Sequence, residues 1–216
     1  MPLTKLVIEP QEVDGRLSDF RVTRADIIRI GLASLGARND SVAADPRTAR
    51  GQLGYIYGVR TMRQVFTPAG YEPISRQNIE SVYDARSGRK IMFQTVDCAC
   101  LEGQNPKVIS EIGTGKETVI HDSERFLFPE MEAAAREREA KLSAFQRAEA
   151  WYLCTAFLNG SVTCELSRPS GVEDKQFSGF IERIFILRDG ETGPAGLLDL
   201  EDDAPPIEIK PLVLKR

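Results

Sequence analysis

The chain has 216 residues, of which 42% are hydrophobic and 28% charged, and its formal net charge is −4. This composition is ordinary for a globular protein and excludes a wholly disordered chain and a membrane class. No run approaches the roughly 18 consecutive apolar residues of a membrane span, and the first residues lack the apolar stretch of a secretory signal. We therefore expect a cytoplasmic protein with no membrane association.

The length predicts one domain, over residues 1–200. The acidic, proline-containing composition of residues 201–216 predicts a linker and docking arm. A chain of this size can bury a core without disulfides or metals, and four cysteines are too few for a disulfide scaffold.

Positive charge is concentrated near the N-terminus. Between Arg16 and Phe66 there are nine arginines and four aspartates, an excess of five positive charges. Residues 16–67 are therefore expected to be an arginine-rich helical part of the domain. The rest of the chain is acidic, so we expect local contact with anions rather than nucleic acid coating the whole surface.

The N-terminal segment predicts a strand at 6–8 and then two helices. Thr23 and Asp26 have the spacing of a capping box, and the helix that they begin is expected to end near Gly36. Asp45 and Pro46 predict the start of the second helix. Its apolar residues follow the spacing of a single stripe: Tyr55, Val59, Met62 and Phe66.

The second helix also supplies the main functional hypothesis. Guanidinium groups contact phosphates and an exposed ring can stack on a base, so a helix face with both is typical of a nucleic-acid contact. The alternative is an ordinary solvated helix face. The predicted nucleic-acid-binding residues are Arg47, Arg50, Tyr57, Arg60, Arg63 and Gln64.

The remaining elements predict a mainly antiparallel sheet. Two hairpins, around residues 86–89 and 113–116, would give a four-strand meander. One long helix is predicted over 129–159, with its apolar second half buried. Strands follow at 162–166 and 180–187, joined by a long Gly/Ser/Pro loop that either binds a partner or simply crosses over. The predicted fold is α+β, with two N-terminal helices, about six strands and the long helix packed on the sheet.

Motifs for nucleotide, zinc and nucleophilic chemistry are incomplete. The segment 113–116 lacks the first glycine and the hydroxyl of a phosphate-binding loop, which favours a hairpin turn. His121 is the only histidine, so it alone would have to serve as a catalytic base or complete a zinc site, and no Cys-x-x-Cys pair is present. The zinc ligands to consider are Cys98, Cys100, His121 and Cys164.

Acidic residues on predicted strands leave one enzymatic alternative, a metal-dependent hydrolase or nuclease. The pattern lacks the Glu-x-Lys sequence expected of such nucleases. We therefore expect a non-catalytic binding or assembly subunit without a cofactor or metal, whose partner is another protein, a nucleic acid, or both. The carboxylates of the alternative are Asp97, Glu111, Glu165 and Glu182.

Overall fold

The structure is a computed structural model that describes residues 3–76, 79–109 and 144–191. Within these ranges one helical turn lies at 144–147. The longer helices are Pro10–Ser18 (α1), Arg24–Asn39 (α2) and Ala49–Phe66 (α3). The strands are Lys5–Val7 (β1), Glu72–Arg76 (β2), Ile79–Asp84 (β3), Arg89–Thr95 (β4), Glu149–Leu158 (β5), Ser161–Glu173 (β6) and Gln176–Leu187 (β7).

The seven strands of the described ranges form one mixed sheet in the order β1-β7-β6-β5-β4-β3-β2. The pairs β1–β7 and β4–β5 are parallel, and the other four pairs are antiparallel. The α+β class is thus confirmed. The sheet differs from the expectation in having seven strands rather than about six and in its two parallel pairs.

The helices pack against the sheet through a core formed from both layers. Ile27 and Ile28 of α2 and Met62 and Phe66 of α3 are buried in the same cluster as Trp151 of β5. The predicted capping box is present, because Thr23 Oγ1 accepts a hydrogen bond from the Asp26 N–H while the Asp26 carboxylate accepts one from the Thr23 N–H. This cap sets where α2 begins.

The predicted long helix agrees with the structure only in the helical turn at 144–147 and is wrong over residues 149–158. Residues 149–158 form β5, which runs parallel to β4 and antiparallel to β6; residues 129–143 lie outside the described ranges. A second core cluster covers the other face of the sheet and contains Tyr152 and Cys154. Because both faces of β5 are buried, its sequence is mostly apolar and lacks the alternation that usually indicates a strand.

Two helix starts also differ from expectation. Helix α1 was not predicted, although Pro10 stands at its first turn, where proline is favoured. Helix α3 begins at Ala49 rather than at the predicted Asp45 and Pro46. Asp45 instead closes a turn, with its carboxylate accepting a hydrogen bond from the Val42 N–H at 2.9 Å.

The hairpins were predicted in part. The turn between β3 and β4 is present, with Gly88 at φ +64°. The predicted loop at 167–179 is mostly strand, because β6 and β7 extend to a tight turn at Asp174 and Lys175, whose φ values are +49° and +59°. Bulges near Pro169 and Gly171 accommodate the residues that suggested a loop. The second predicted hairpin, around 113–116, and the arm at 201–216 lie outside the described residues.

Across the described ranges, no helix is both long enough and apolar enough to cross a membrane.

Candidate anion-binding surface

The exposed side of α3 carries most of the predicted nucleic-acid-binding residues. Arg50, Tyr57 and Gln64 follow one another at intervals of seven residues, and Arg60 lies between the last two, so all four occupy one side of the helix. Arg47 is exposed just before the helix begins. The opposite side of α3 is buried, with Val59, Met62, Val65 and Phe66 in the core.

Small residues let α3 approach its neighbours closely. A methyl group added to Gly58 would overlap the ring of Phe93, and one added to Gly54 would lie 2.5 Å from Cγ of Arg38. The hydroxyl of Ser34 on α2 donates a hydrogen bond to the Gly54 carbonyl at 2.7 Å, in a buried position. These contacts fix α3 against both the sheet and α2, and so determine which side of α3 faces solvent.

The structure divides the nine arginines of residues 16–66 into two groups. Five pair with carboxylates: Arg16, Arg21, Arg24, Arg29 and Arg63. Among the described residues, no carboxylate lies within 4.0 Å of the other four, which are Arg38, Arg47, Arg50 and Arg60.

Arg63 differs from the other predicted arginines in forming an ion pair with another described residue. Its guanidinium forms an ion pair with Glu80 and donates a hydrogen bond to the Ser75 hydroxyl at 3.0 Å. Arg63 therefore anchors α3 to β2 and β3. Its positive charge is locally neutralised, so it adds little to the attraction of an external anion.

Tyr57 and Arg60 form a stacked pair on the solvent side of α3. The Arg60 guanidinium carbon lies 4.4 Å from the centroid of the Tyr57 ring, and Tyr57 is 38% exposed. One ring face is thus occupied by the cation. Such stacking orders the guanidinium group while leaving its N–H edges free to contact an anion.

Arg38, in the last turn of α2, was not among the predicted residues. Its guanidinium carbon lies 4.2 Å from the centroid of the Phe157 ring, and its Nε is buried without a hydrogen-bond partner in the described structure. Partial burial, together with the neighbouring positive charge of Arg50, lowers the pKa of Arg38. Arg38 lies beside the predicted arginines of α3 because of the way α2, α3 and β5 pack together. In the sequence, only the arginine excess of residues 16–66 pointed to it.

We call Arg38, Arg47, Arg50, Tyr57, Arg60 and Gln64 the arginine surface. It combines four guanidinium groups that have no carboxylate partner among the described residues with one aromatic ring, which is the chemistry that recognises phosphate groups.

The described carboxylates of the enzymatic alternative, Asp97, Glu165 and Glu182, do not come together. Glu165 is completely buried and paired with Arg183, whereas Glu182 pairs with Arg16 on the helix-covered face of the sheet. Glu165 and Glu182 therefore point to opposite faces. Asp97 accepts hydrogen bonds from the backbone N–H groups of Cys98 and Lys107, while Glu111 lies outside the described ranges.

The cysteines that were considered as zinc ligands are also divided. Cys164 belongs to the core cluster beneath the helices, in contact distance of Gly31, whereas Cys100 belongs to the cluster on the other face. Within the described ranges, no group of three or more His, Cys, Asp or Glu side chains is placed to hold a metal ion. His121 lies outside those ranges.

Comparison of the chain with protein-family models, with curated proteins and with solved structures yields no match.

Proposed function

We propose that this protein is a non-catalytic binding subunit of a larger assembly and that it contacts nucleic-acid phosphates through the arginine surface. The observation that supports this proposal is the set of four arginines without a carboxylate partner among the described residues. They stand out in a chain whose formal net charge is −4 and whose other N-terminal arginines are paired.

The dimensions of the surface suit a polymer of phosphates. Fourteen residues separate Arg50 from Gln64, which corresponds to about 21 Å along a helix. Phosphates of one strand of a duplex are spaced about 3.4 Å apart along its axis, so this length spans several of them. Unpaired arginines along this line can each form a charge-assisted hydrogen bond to a phosphate oxygen.

The surrounding charge favours a local contact rather than a wrapped complex. The excess of five positive charges lies within residues 16–66, and the rest of the chain carries the opposite sign. Because carboxylates pair with five of the nine arginines of this segment, the attraction for a polyanion comes mainly from the four arginines of the arginine surface, while the acidic remainder repels it.

The test is the binding of labelled single- and double-stranded DNA and RNA, followed by fluorescence anisotropy between 50 and 200 mM salt. In the variant Arg50→Glu, we expect affinity to fall at least about tenfold, because a charge-assisted hydrogen bond contributes roughly 1.5–3 kcal/mol. The slope of log K against log[salt] should decrease by about one. Arg50→Glu with Arg60→Glu should lower both quantities further.

Arg86→Glu is the matched control. Arg86 is exposed in the turn between β3 and β4, next to Asp84. Asp84 binds Arg21, which in turn binds the Ala69 carbonyl beyond the C-terminal end of α3. This variant makes the same charge change at the end of α3 away from Arg50, so its affinity should be close to wild type. Equal losses in the two variants, or no binding by the wild type, would refute the proposal.

The assembly part of the proposal concerns the acidic, proline-containing C-terminal segment. We expect deletion of residues 204–216 to reduce recovery of a stoichiometric complex in native mass spectrometry of protein purified from its source cells. The melting temperature of the isolated protein should stay close to that of the full chain. A large drop in melting temperature would mean that the segment belongs to the folded body instead.

A further inference from the structure

We infer that Arg38 and Arg50 together form a binding site for a single phosphate group at the junction of α2, α3 and β5. This inference deepens the proposed function and rests on it, because it names the anchor point within the arginine surface. It concerns one oxyanion held between two guanidinium groups.

The Arg38 side chain is held in place before any ligand binds. The aliphatic part of the Arg38 side chain packs on Gly54. A methyl group added to Gly54 would lie 2.5 Å from Cγ and 2.9 Å from Cδ of Arg38. Its guanidinium stacks on Phe157 at 4.2 Å. An arginine whose rotamers are fixed by packing loses little conformational entropy when it binds an anion, which favours a specific site.

Among the described residues, the Arg38 guanidinium also lacks a counterpart. Its Nε is buried without a hydrogen-bond partner in the described structure, and no described carboxylate lies within 4.0 Å of the group. A buried N–H donor that is left unsatisfied costs roughly 1–3 kcal/mol. Nε itself is inaccessible, but Arg38 is only half-buried, so an oxyanion can bind the accessible part of the guanidinium group and neutralise its charge.

Arg50 brings a second positive charge to the same place. It lies four residues before Gly54, one helical turn away on the same side of α3, and so next to Arg38, on whose pKa its charge acts. Among the described residues Arg50 too has no ion-pair partner. Two like charges held near each other destabilise the unliganded protein, and a phosphate between them relieves that repulsion. The tetrahedral oxygens of a phosphate can accept hydrogen bonds from both guanidinium groups, as a single carboxylate does less readily.

The experiment measures the melting temperature of the full-length protein in inorganic phosphate, with chloride at the same ionic strength as reference. At a phosphate concentration about tenfold above its dissociation constant, we expect the wild-type melting temperature to rise by about 3–5 °C. Arg38→Gln and Arg50→Gln should each abolish most of this rise. Arg60→Gln, on the same surface but stacked on Tyr57, should retain it.

Arg50→Gln keeps the test decisive if Arg38→Gln fails to fold, because Arg50 is exposed and its replacement disturbs no packing. A rise that is equal in the wild type, Arg50→Gln and Arg60→Gln would overturn the inference, and so would the absence of any rise specific to phosphate.

The outcome is distinguishable from that of the nucleic-acid proposal. If oligonucleotide binding depends on Arg50 and Arg60 while phosphate has no effect on the melting temperature, the proposed phosphate-binding site is wrong and the nucleic-acid proposal stands. If phosphate stabilises the protein through Arg38 and Arg50 while no oligonucleotide binds, the phosphate-binding site is correct and its ligand is a free phosphate compound.

Discussion

Arg183 donates two hydrogen bonds to Glu165, from Nε to Oε1 at 2.9 Å and from Nη2 to Oε2 at 2.7 Å, with both side chains almost completely buried. Glu165 also accepts a hydrogen bond from the Cys100 N–H, and Arg183 Nη1 donates to the carbonyls of Leu101 and Gln104. The ion pair of β6 and β7 therefore holds the segment that follows β4 against the sheet.

We predict that Glu165→Gln lowers the free energy of unfolding by about 3–5 kcal/mol, because it leaves the charge of Arg183 buried without a counterion. Urea denaturation followed by the fluorescence of Trp151, the single tryptophan, measures this change. Amide hydrogen exchange at Cys100 should accelerate in the same variant, because its N–H loses the carboxylate acceptor.

The control for this change is Glu191→Gln. Glu191 pairs with Arg24 at 2.7 Å, but both side chains are at least 30% exposed, so the loss should be below about 1 kcal/mol. If the two variants unfold at similar urea concentrations, the buried pair contributes no more than a surface pair.

At two glycines of α3, we expect substitution by alanine to have opposite effects on stability. In Gly58→Ala, the new methyl group overlaps the buried Phe93 ring, and we expect a loss of about 1–3 kcal/mol from overpacking. In Gly51→Ala, nothing lies within 4 Å of the new methyl group, and the higher helix propensity of alanine should stabilise the protein by about 0.4–1 kcal/mol. Thermal unfolding of both variants gives the comparison, and a stabilised Gly58→Ala would contradict the close packing of α3 on β4.

Glu182 should contribute to the pH dependence of stability. The hydrogen bond from Arg16, and then that from Lys5, lowers the pKa of Glu182 below its usual range, although burial opposes the shift. A carboxyl group with a depressed folded-state pKa contributes stability above its unfolded pKa of about 4.3 and loses it as the pH falls through the folded value.

We therefore expect Glu182→Gln to lower the free energy of unfolding at pH 7 by about 1.5–3 kcal/mol, the range for hydrogen bonds to charged groups. The difference from wild type should shrink as the pH is reduced below about 4. Glu12→Gln, at an exposed position of α1, is the control and should change stability little at either pH. A difference that stays constant down to low pH would contradict the role of the charge.

The four thiols should react slowly in the native protein. Burial, and then the hydrogen bond from Cys98 to Asp97, raises the pKa of Cys98 to about 11, and burial raises that of Cys164 to about 12. Cys100 and Cys154 are buried as well. Because the thiolate is the reactive form, we expect Cys98 to react about 100-fold more slowly than an ordinary exposed thiol at pH 8.

A chromogenic disulfide reagent should therefore titrate less than one thiol promptly in buffer and all four in denaturant. The variant Cys98→Ser separates the half-buried thiol from the three buried ones. Rapid reaction of any cysteine in the folded protein would contradict the described burial.

The local sequence pattern of β5 was not sufficient to predict that it is a strand. Its sequence is mostly apolar on both faces, and a helix was predicted because the residues before it favour a helix and Gly160 after it would end one. Trp151 packs edge-to-face on Phe20 on one side of the sheet, while Tyr152 packs on Phe177 on the other. A strand buried on both faces differs from a buried helix only in its neighbours, and those neighbours are distant in sequence.

The arginine surface was predicted only in part for a similar reason. The excess of arginine and the exposed side of α3 could be read from composition and helical periodicity. Which arginines are neutralised depends on partners such as Glu80 for Arg63 and Glu182 for Arg16, which are 17 and 166 residues away. Arg38 joins the surface only because α2 and α3 approach closely at Gly54.

The sequence by itself determined the features that depend on a few adjacent residues. These are the capping box at Thr23 and Asp26, the turn at Gly88 and the apolar side of α3, because cap, turn and periodicity are set within one or two helical turns or a single hairpin. The tertiary structure alone decided that residues 149–158 are a strand, that Glu165 and Glu182 face opposite sides of the sheet, and which arginines pair with described carboxylates. These properties depend on long-range strand pairing and side-chain contacts, which fix burial and charge partners only after the chain has folded.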